Sequence, residues 1–223
     1  MIGQFRATLY DLFGYLIPGI VTAVGLLLVG VAISGTGHGD LAWVAESAPA
    51  VLALVLCYAL GHLSQAAGNL VLPTEHALVY LEPGEYAADV LRRAKQLLGE
   101  RIGIDAAALE AERCMALMGE CRTLVAPDEE HEMYVYREGF YRGMAMASAV
   151  LVVAFVVTAM RGSARVALPG AAICVGTRGA LLVGAACLVA AGLFVARLWR
   201  FQCYRVHEEV DAFLAAATMK AAH

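Results

Sequence analysis

Charge is scarce in this chain. Only 16% of its 223 residues are Asp, Glu, Lys or Arg, where a soluble domain carries about a quarter, and 61% are hydrophobic. Mean hydropathy is +0.68. So few charges cannot clothe an ordinary soluble surface, and the composition indicates an integral membrane protein. Signatures of chemistry are missing as well. There is no phosphate-binding glycine loop, no nucleophile elbow and no paired-cysteine metal spacing. His131-Glu132 resembles the start of a zinc-protease helix, but Val135 stands where the second histidine ligand would have to be. Glu75-His76 and His131-Glu132 read as solvated or interfacial pairs. No catalytic residue, metal or cofactor is expected, and no direct nucleic-acid binding. Among the six cysteines, Cys57, Cys174 and Cys187 lie in apolar surroundings, where cysteine is a small core residue. Cys114 and Cys121 are seven residues apart, ~10 Å along a helix, too far to bridge within one chain. All six read as reduced thiols.

What the chain does have is four apolar runs. The first, Leu12 to Ile33, is long enough to span. A cleaved secretory signal is its rival reading, but the run is longer than the usual signal-peptide core. Pro18, with Gly14 and Gly19 beside it, should bend or loosen its first turns. Gly35 to Ser47 contains no Lys or Arg and reads as a flexible glycine loop, with Trp43 suited to the interfacial belt. The second span runs from about Ala48 to Leu72 and stops at Pro73. The third is Gly143 to Met160 and the fourth Ala180 to Leu198, where Ala180, Gly184 and Gly192 would permit close helix contact. Between them, Arg161 to Arg178 reads as a loop, in which Val166 to Val175 is apolar but too short to cross and fits a re-entrant or interfacial segment.

Residues 74–142 hold eight of the sixteen basic and fourteen of the twenty acidic residues, and no run there could span. The positive-inside rule makes this segment cytoplasmic, and with it both termini. Thirteen Lys and Arg then lie inside and three outside. Three helices are expected in the insertion. One starts near Pro83 and ends at Gly99 or Gly103; a second is capped by Asp105. The third starts at Pro127-Asp128 and continues straight into the third span. The expected fold is all-α: a polytopic membrane protein with four transmembrane helices and a cytoplasmic helical insertion between spans two and three. The parts are residues 1–72 with spans one and two, the insertion 73–142, spans three and four in 143–199, and a cytoplasmic C-terminal helix in 200–223.

The most informative stretch is Val51 to Leu72, an apolar run that acquires Tyr58, His62, Gln65 and Asn69 at steps of four, three and four. On a helix these fall on one stripe. Lipid cannot satisfy an imidazole and two carboxamides, so the stripe must meet other protein, a partner subunit or a water-filled path. Three readings stay open: contacts to other helices of the same protomer, the lining of a conduit, or a proton or metal site on His62. Arg92, Arg93 and Lys95 read as a solvated helix face or a site for anionic head groups or a phosphorylated ligand. Arg137 and Arg142, set among Tyr134, Tyr136, Phe140 and Tyr141, read as an interfacial anchor or as ligand-pocket residues.

Three short motifs carry a resemblance: Asp11-Leu-Phe-Gly-Tyr-Leu-Ile-Pro-Gly19 leading the first span, Gly61-His62-Leu-Ser-Gln65 with Asn69 late in the second, and Gly139-Phe-Tyr-Arg142 entering the third. In these the chain resembles small bacterial four-span inner-membrane proteins associated with anti-phage defence, including systems that use nucleotide second messengers. The resemblance implies a homo-oligomeric, channel-like effector in the bacterial inner membrane, triggered by a cytoplasmic protein or nucleotide signal. It transfers no catalytic residue. The competing expectations are a non-channel anchor that recruits a cytoplasmic partner, and a small lipid-acting enzyme using His62 or His76.

Overall fold

The computed structural model describes residues 2–34, 38–40, 47–72, 129–168 and 171–221, together with 92–93, 96–97, 99–100 and 103. Four long helices dominate: α1 (Ile2–Ile33), α2 (Ser47–Val71), α3 (Glu129–Arg161) and α4 (Thr177–Ala221). Among the described residues three strands accompany them: β1 (His38–Asp40), β2 (Ser163–Leu168) and β3 (Ala171–Gly176). All four helices are long and apolar enough to cross a membrane, over Leu12–Ile33, Ala50–Val71, Met133–Arg161 and Thr177–Arg205. The chain is thus a multi-pass membrane protein by length and composition. The third and fourth candidate spans begin earlier or run later than the purely apolar windows Gly143–Met160 and Ala180–Leu198, because the helices pass through Glu138, Arg142 and Arg200 without a break.

Two compact units are present, one comprising Met1–Leu72 and Tyr136–Leu198, the other Pro73–Val135 and Trp199–His223. In the first unit α1 and α3 lie side by side. A Cβ placed on Gly143 would sit 3.1 Å from Pro18 Cγ, and one on Gly25 would sit 2.8 Å from Val150 Cγ1. The second pair lies seven residues further along both helices, so the two run in the same direction. α4 runs against α3: Tyr141 meets Phe194 at a ring separation of 6.2 Å, and Phe155 packs on Gly184. Gly192, expected to make a close contact, faces open space among the described residues, because the helix contact is carried by Ala180 and Gly184 instead.

Beyond that contact, Leu28, Ala154, Phe155 and Ala180 form a buried cluster, with Leu151, Val175 and Cys187 packed against it. The sheet lies next in sequence to the helix ends here, in the order β1-β2-β3, and both β1 and β2 contact α1. β1 pairs parallel with β2, Gly39 opposite Val166; β2 and β3 form an antiparallel hairpin, Val166 opposite Ile173. This differs from the expected loop and re-entrant segment, and it adds a small sheet to the all-α expectation. The physical reason is backbone satisfaction: a segment too short to cross pairs its peptide groups with itself and with β1. Gly162, at φ +93, makes the turn out of α3. Cys174, expected in apolar surroundings, is exposed on β3, while Cys57, Cys187 and Cys203 are half-buried, and all four are free thiols.

In the second unit, Tyr134, Phe201 and Tyr204 form a ring cluster with centroid separations of 5.9 to 6.3 Å. Gly103 takes a left-handed φ of +72 and its N–H bonds to the Gly99 carbonyl at 2.8 Å, the geometry of a glycine helix stop. Of the expected insertion helices, most of the one beginning near Pro83, the one capped by Asp105 and the Pro127-Asp128 start lie outside the described residues, as do Lys95, Glu75, His76, Cys114 and Cys121.

Candidate functional site: a polar knot between α1, α2 and α3

α1 and α2 touch backbone to backbone. A Cβ on Gly19 would overlap the carbonyl oxygen of Cys57, and one on Gly61 would overlap that of Tyr15. Only glycine at both places lets the helices meet so closely, the small-residue logic of membrane helix pairs. Beside the crossing, Thr22 Oγ1 donates to the Pro18 carbonyl at 2.8 Å, and the hydroxyls of Thr22 and Ser64 share a 2.8 Å hydrogen bond. Ser64 Oγ also lies 2.9 Å from the Leu60 carbonyl; with one hydrogen each, one hydroxyl donates to the other and the second donates to its own helix carbonyl. These hydroxyls consume their bonding capacity inside the helix pair, as hydrocarbon surroundings demand.

The close crossing brings Tyr15 onto the polar stripe of α2. Its ring stacks on His62 at 3.6 Å and meets Tyr58 edge-on at 5.7 Å, while Tyr58 and His62 contact one another at 4.7 Å. Further along α2, Gln65 lies directly on Gly139 of α3, where a side chain larger than hydrogen would strike its amide nitrogen. Asn69 Oδ1 accepts from Arg142 Nη1 at 2.5 Å. Arg142 Nη2 donates to Glu138 Oε1 at 2.5 Å, and both side chains of this ion pair are about nine-tenths buried. The Arg142 stem packs against Gly68. Arg142 Nε is buried and has no hydrogen-bond partner among the described residues, and the same holds for the hydroxyl of Thr158.

The four stripe residues therefore share one helix but divide between two neighbours: Tyr58 and His62 meet α1, Gln65 and Asn69 meet α3. Tyr58 and Gln65 are half-buried; His62 and Asn69 remain exposed. Arg142 sits inside the site rather than serving only as an anchor at the membrane edge. Arg137, also in the first unit, is half-buried, whereas Arg92 and Arg93 are exposed helical residues of the second unit. Sequence reasoning missed Glu138, whose signal was its place four residues before Arg142, the favourable order for a helical ion pair. It also missed the Thr22–Ser64 bond, which no local pattern announces.

A guanidinium–carboxylate pair tied to a carboxamide can hold two helices in register and can hold charge inside a span without leaving it unpaired. Breaking such a buried pair from one side costs about 3–5 kcal/mol. The described residues contain no group of three or more potential metal ligands. No protein family, curated protein or solved structure matches the chain.

Proposed function

We propose that the chain is a homo-oligomeric, channel-like membrane effector that perturbs the bacterial inner membrane in answer to a cytoplasmic protein or nucleotide signal, in anti-phage defence. The observation that supports this most is the convergence in one knot of residues from the three motifs that carry the resemblance: Tyr15, Pro18 and Gly19 of α1, Gly61 to Gln65 with Asn69 of α2, and Gly139 and Arg142 of α3. α3 is continuous from Glu129 through Glu138 and Arg142 to Arg161. A signal acting on the residues that begin α3 would shift Arg142 along or about the helix axis and release Asn69 from it. Charge and amide groups left without partners inside the span would then draw in water or reorganise α2, and the barrier to ions would fall.

The test uses the purified chain in liposomes with a trapped ion. The bonds from Arg142 to Asn69 and Glu138 hold the bundle shut, so Arg142→Gln should raise ion release above the wild-type chain, and Gln65→Leu should lower the release seen from Arg142→Gln. Equal release from Arg142→Gln, wild type and protein-free vesicles contradicts a conduit.

A second reading has its own observation. Tyr58 and Asn69 find partners within the same chain, as expected of a non-channel anchor that recruits a cytoplasmic partner. Co-purification of a stoichiometric partner, with no ion release from any variant, favours it.

A further inference from the structure

The exposed face of α2 is not plain hydrocarbon. Leu52, Val55, Ala59, His62, Ala66 and Asn69 are all exposed on the single chain, and they succeed one another at steps of three, four, three, four and three. That is the seam along which two helices coil around each other. His62 lies twelve residues after the start of the span Ala50–Val71 and nine before its end, so it is within ~2 Å of the middle of the span along the axis. Tyr15 stacks on one face of its ring, and stacking leaves the in-plane nitrogens to be satisfied elsewhere. Acyl chains cannot do this. Asn69 gives its oxygen to Arg142 and still has two amide hydrogens to place.

We infer that α2 pairs with α2 of a second copy of this chain along that seam. Two copies crossing the membrane in the same sense present parallel helices, and a two-fold axis along the seam sets His62 against His62 and Asn69 against Asn69. A neutral imidazole is donor at one nitrogen and acceptor at the other, so one N–H···N bond joins the two histidines and leaves each with a single unbonded nitrogen in place of two. Two Asn69 amides join likewise near the end of the span. Ala59 and Ala66, one turn to either side of His62, let the backbones come close enough for these bonds. A self-complementary face is what selects a second copy over a different protein. The pairing rests on the homo-oligomer element of the function proposed above, but it is read by assembly rather than leakage, so either can fail without the other.

The experiment is a cysteine scan along α2. The six native cysteines are changed to Ala in a chain that keeps the wild-type thermal transition, and single cysteines are placed at Val55, Ala59 and Ala66, with Leu54 and Val71 as controls. Both controls are exposed but point off the seam. Oxidation in native membranes and in nanodiscs should give dimers at Val55, Ala59 and Ala66 and little at Leu54 and Val71. Ala66→Trp, at an exposed position where the single chain has room, should lower the dimer-to-monomer ratio about tenfold, a change of ~1.4 kcal/mol. Uniform linking at all five positions, no linking at any, links to a different protein, or an unchanged ratio in Ala66→Trp each overturn the pairing.

Discussion

The two ends of the first unit hold together by different means. Around Pro18 the helices meet through glycine backbones, hydroxyl bonds and the bond from Arg142, itself ion-paired with Glu138 within α3, to Asn69. Some ten residues further along α1, ~15 Å by helical rise, Leu28, Ala154, Phe155 and Ala180 form an apolar cluster. In lipid the contrast matters, because burying an apolar side chain against protein rather than acyl chains gains only packing, whereas polar groups have nowhere else to go. The polar end should therefore fix which helices meet, and the apolar end should tolerate change.

The sharpest way to break this contrast is to fill the crossing. Gly61→Val would drive a side chain into the Tyr15 backbone, and with no flexible atom to yield, the folded fraction recovered in detergent should fall at least about tenfold, while Gly192→Val, facing open space, should leave it unchanged. Next comes Glu138→Ala, which strands the Arg142 charge; reversible unfolding in mixed micelles should show a loss of about 3 kcal/mol. Phe155→Ala at the apolar end should cost less than Glu138→Ala, since lipid replaces part of the lost contact. If Phe155→Ala proved costlier than Glu138→Ala, the contrast between the ends would be wrong. Ser64→Ala should cost the least, about 0.6 kcal/mol, a typical value for one hydrogen bond between membrane helices.

How far the sequence led differs along the chain. The four helices were legible because each apolar run falls within the range of lengths that can cross a bilayer, and the continuity of α3 into the third span followed from the absence of proline between Glu129 and Arg161. The hairpin was obscured for the converse reason. Read for crossing length, Val166 to Val175 is a single apolar run, although Pro169-Gly170 divides it into two strand-length pieces. β1 was invisible to local pattern, since His38–Asp40 becomes a strand only by pairing with β2, far along the chain. In the site, periodicity placed Tyr58, His62, Gln65 and Asn69 on one stripe and required polar or protein company for them. It could not say whose, because which face of α1 or α3 meets α2 is settled by shape at Gly19, Gly61 and Gly139, not by hydropathy.

The junction of α2 with α3 depends on the bond between Asn69 and Arg142 being formed inside the bundle. A double-mutant cycle with Asn69→Ala, Arg142→Ala and the pair, followed by reversible unfolding in bicelles, measures it without reference to any trigger. A coupling of about 1 kcal/mol or more is expected, because each single change removes the same contact. Strict additivity, within about 0.3 kcal/mol, would mean that these side chains do not meet and that the knot joining α2 to α3 does not exist.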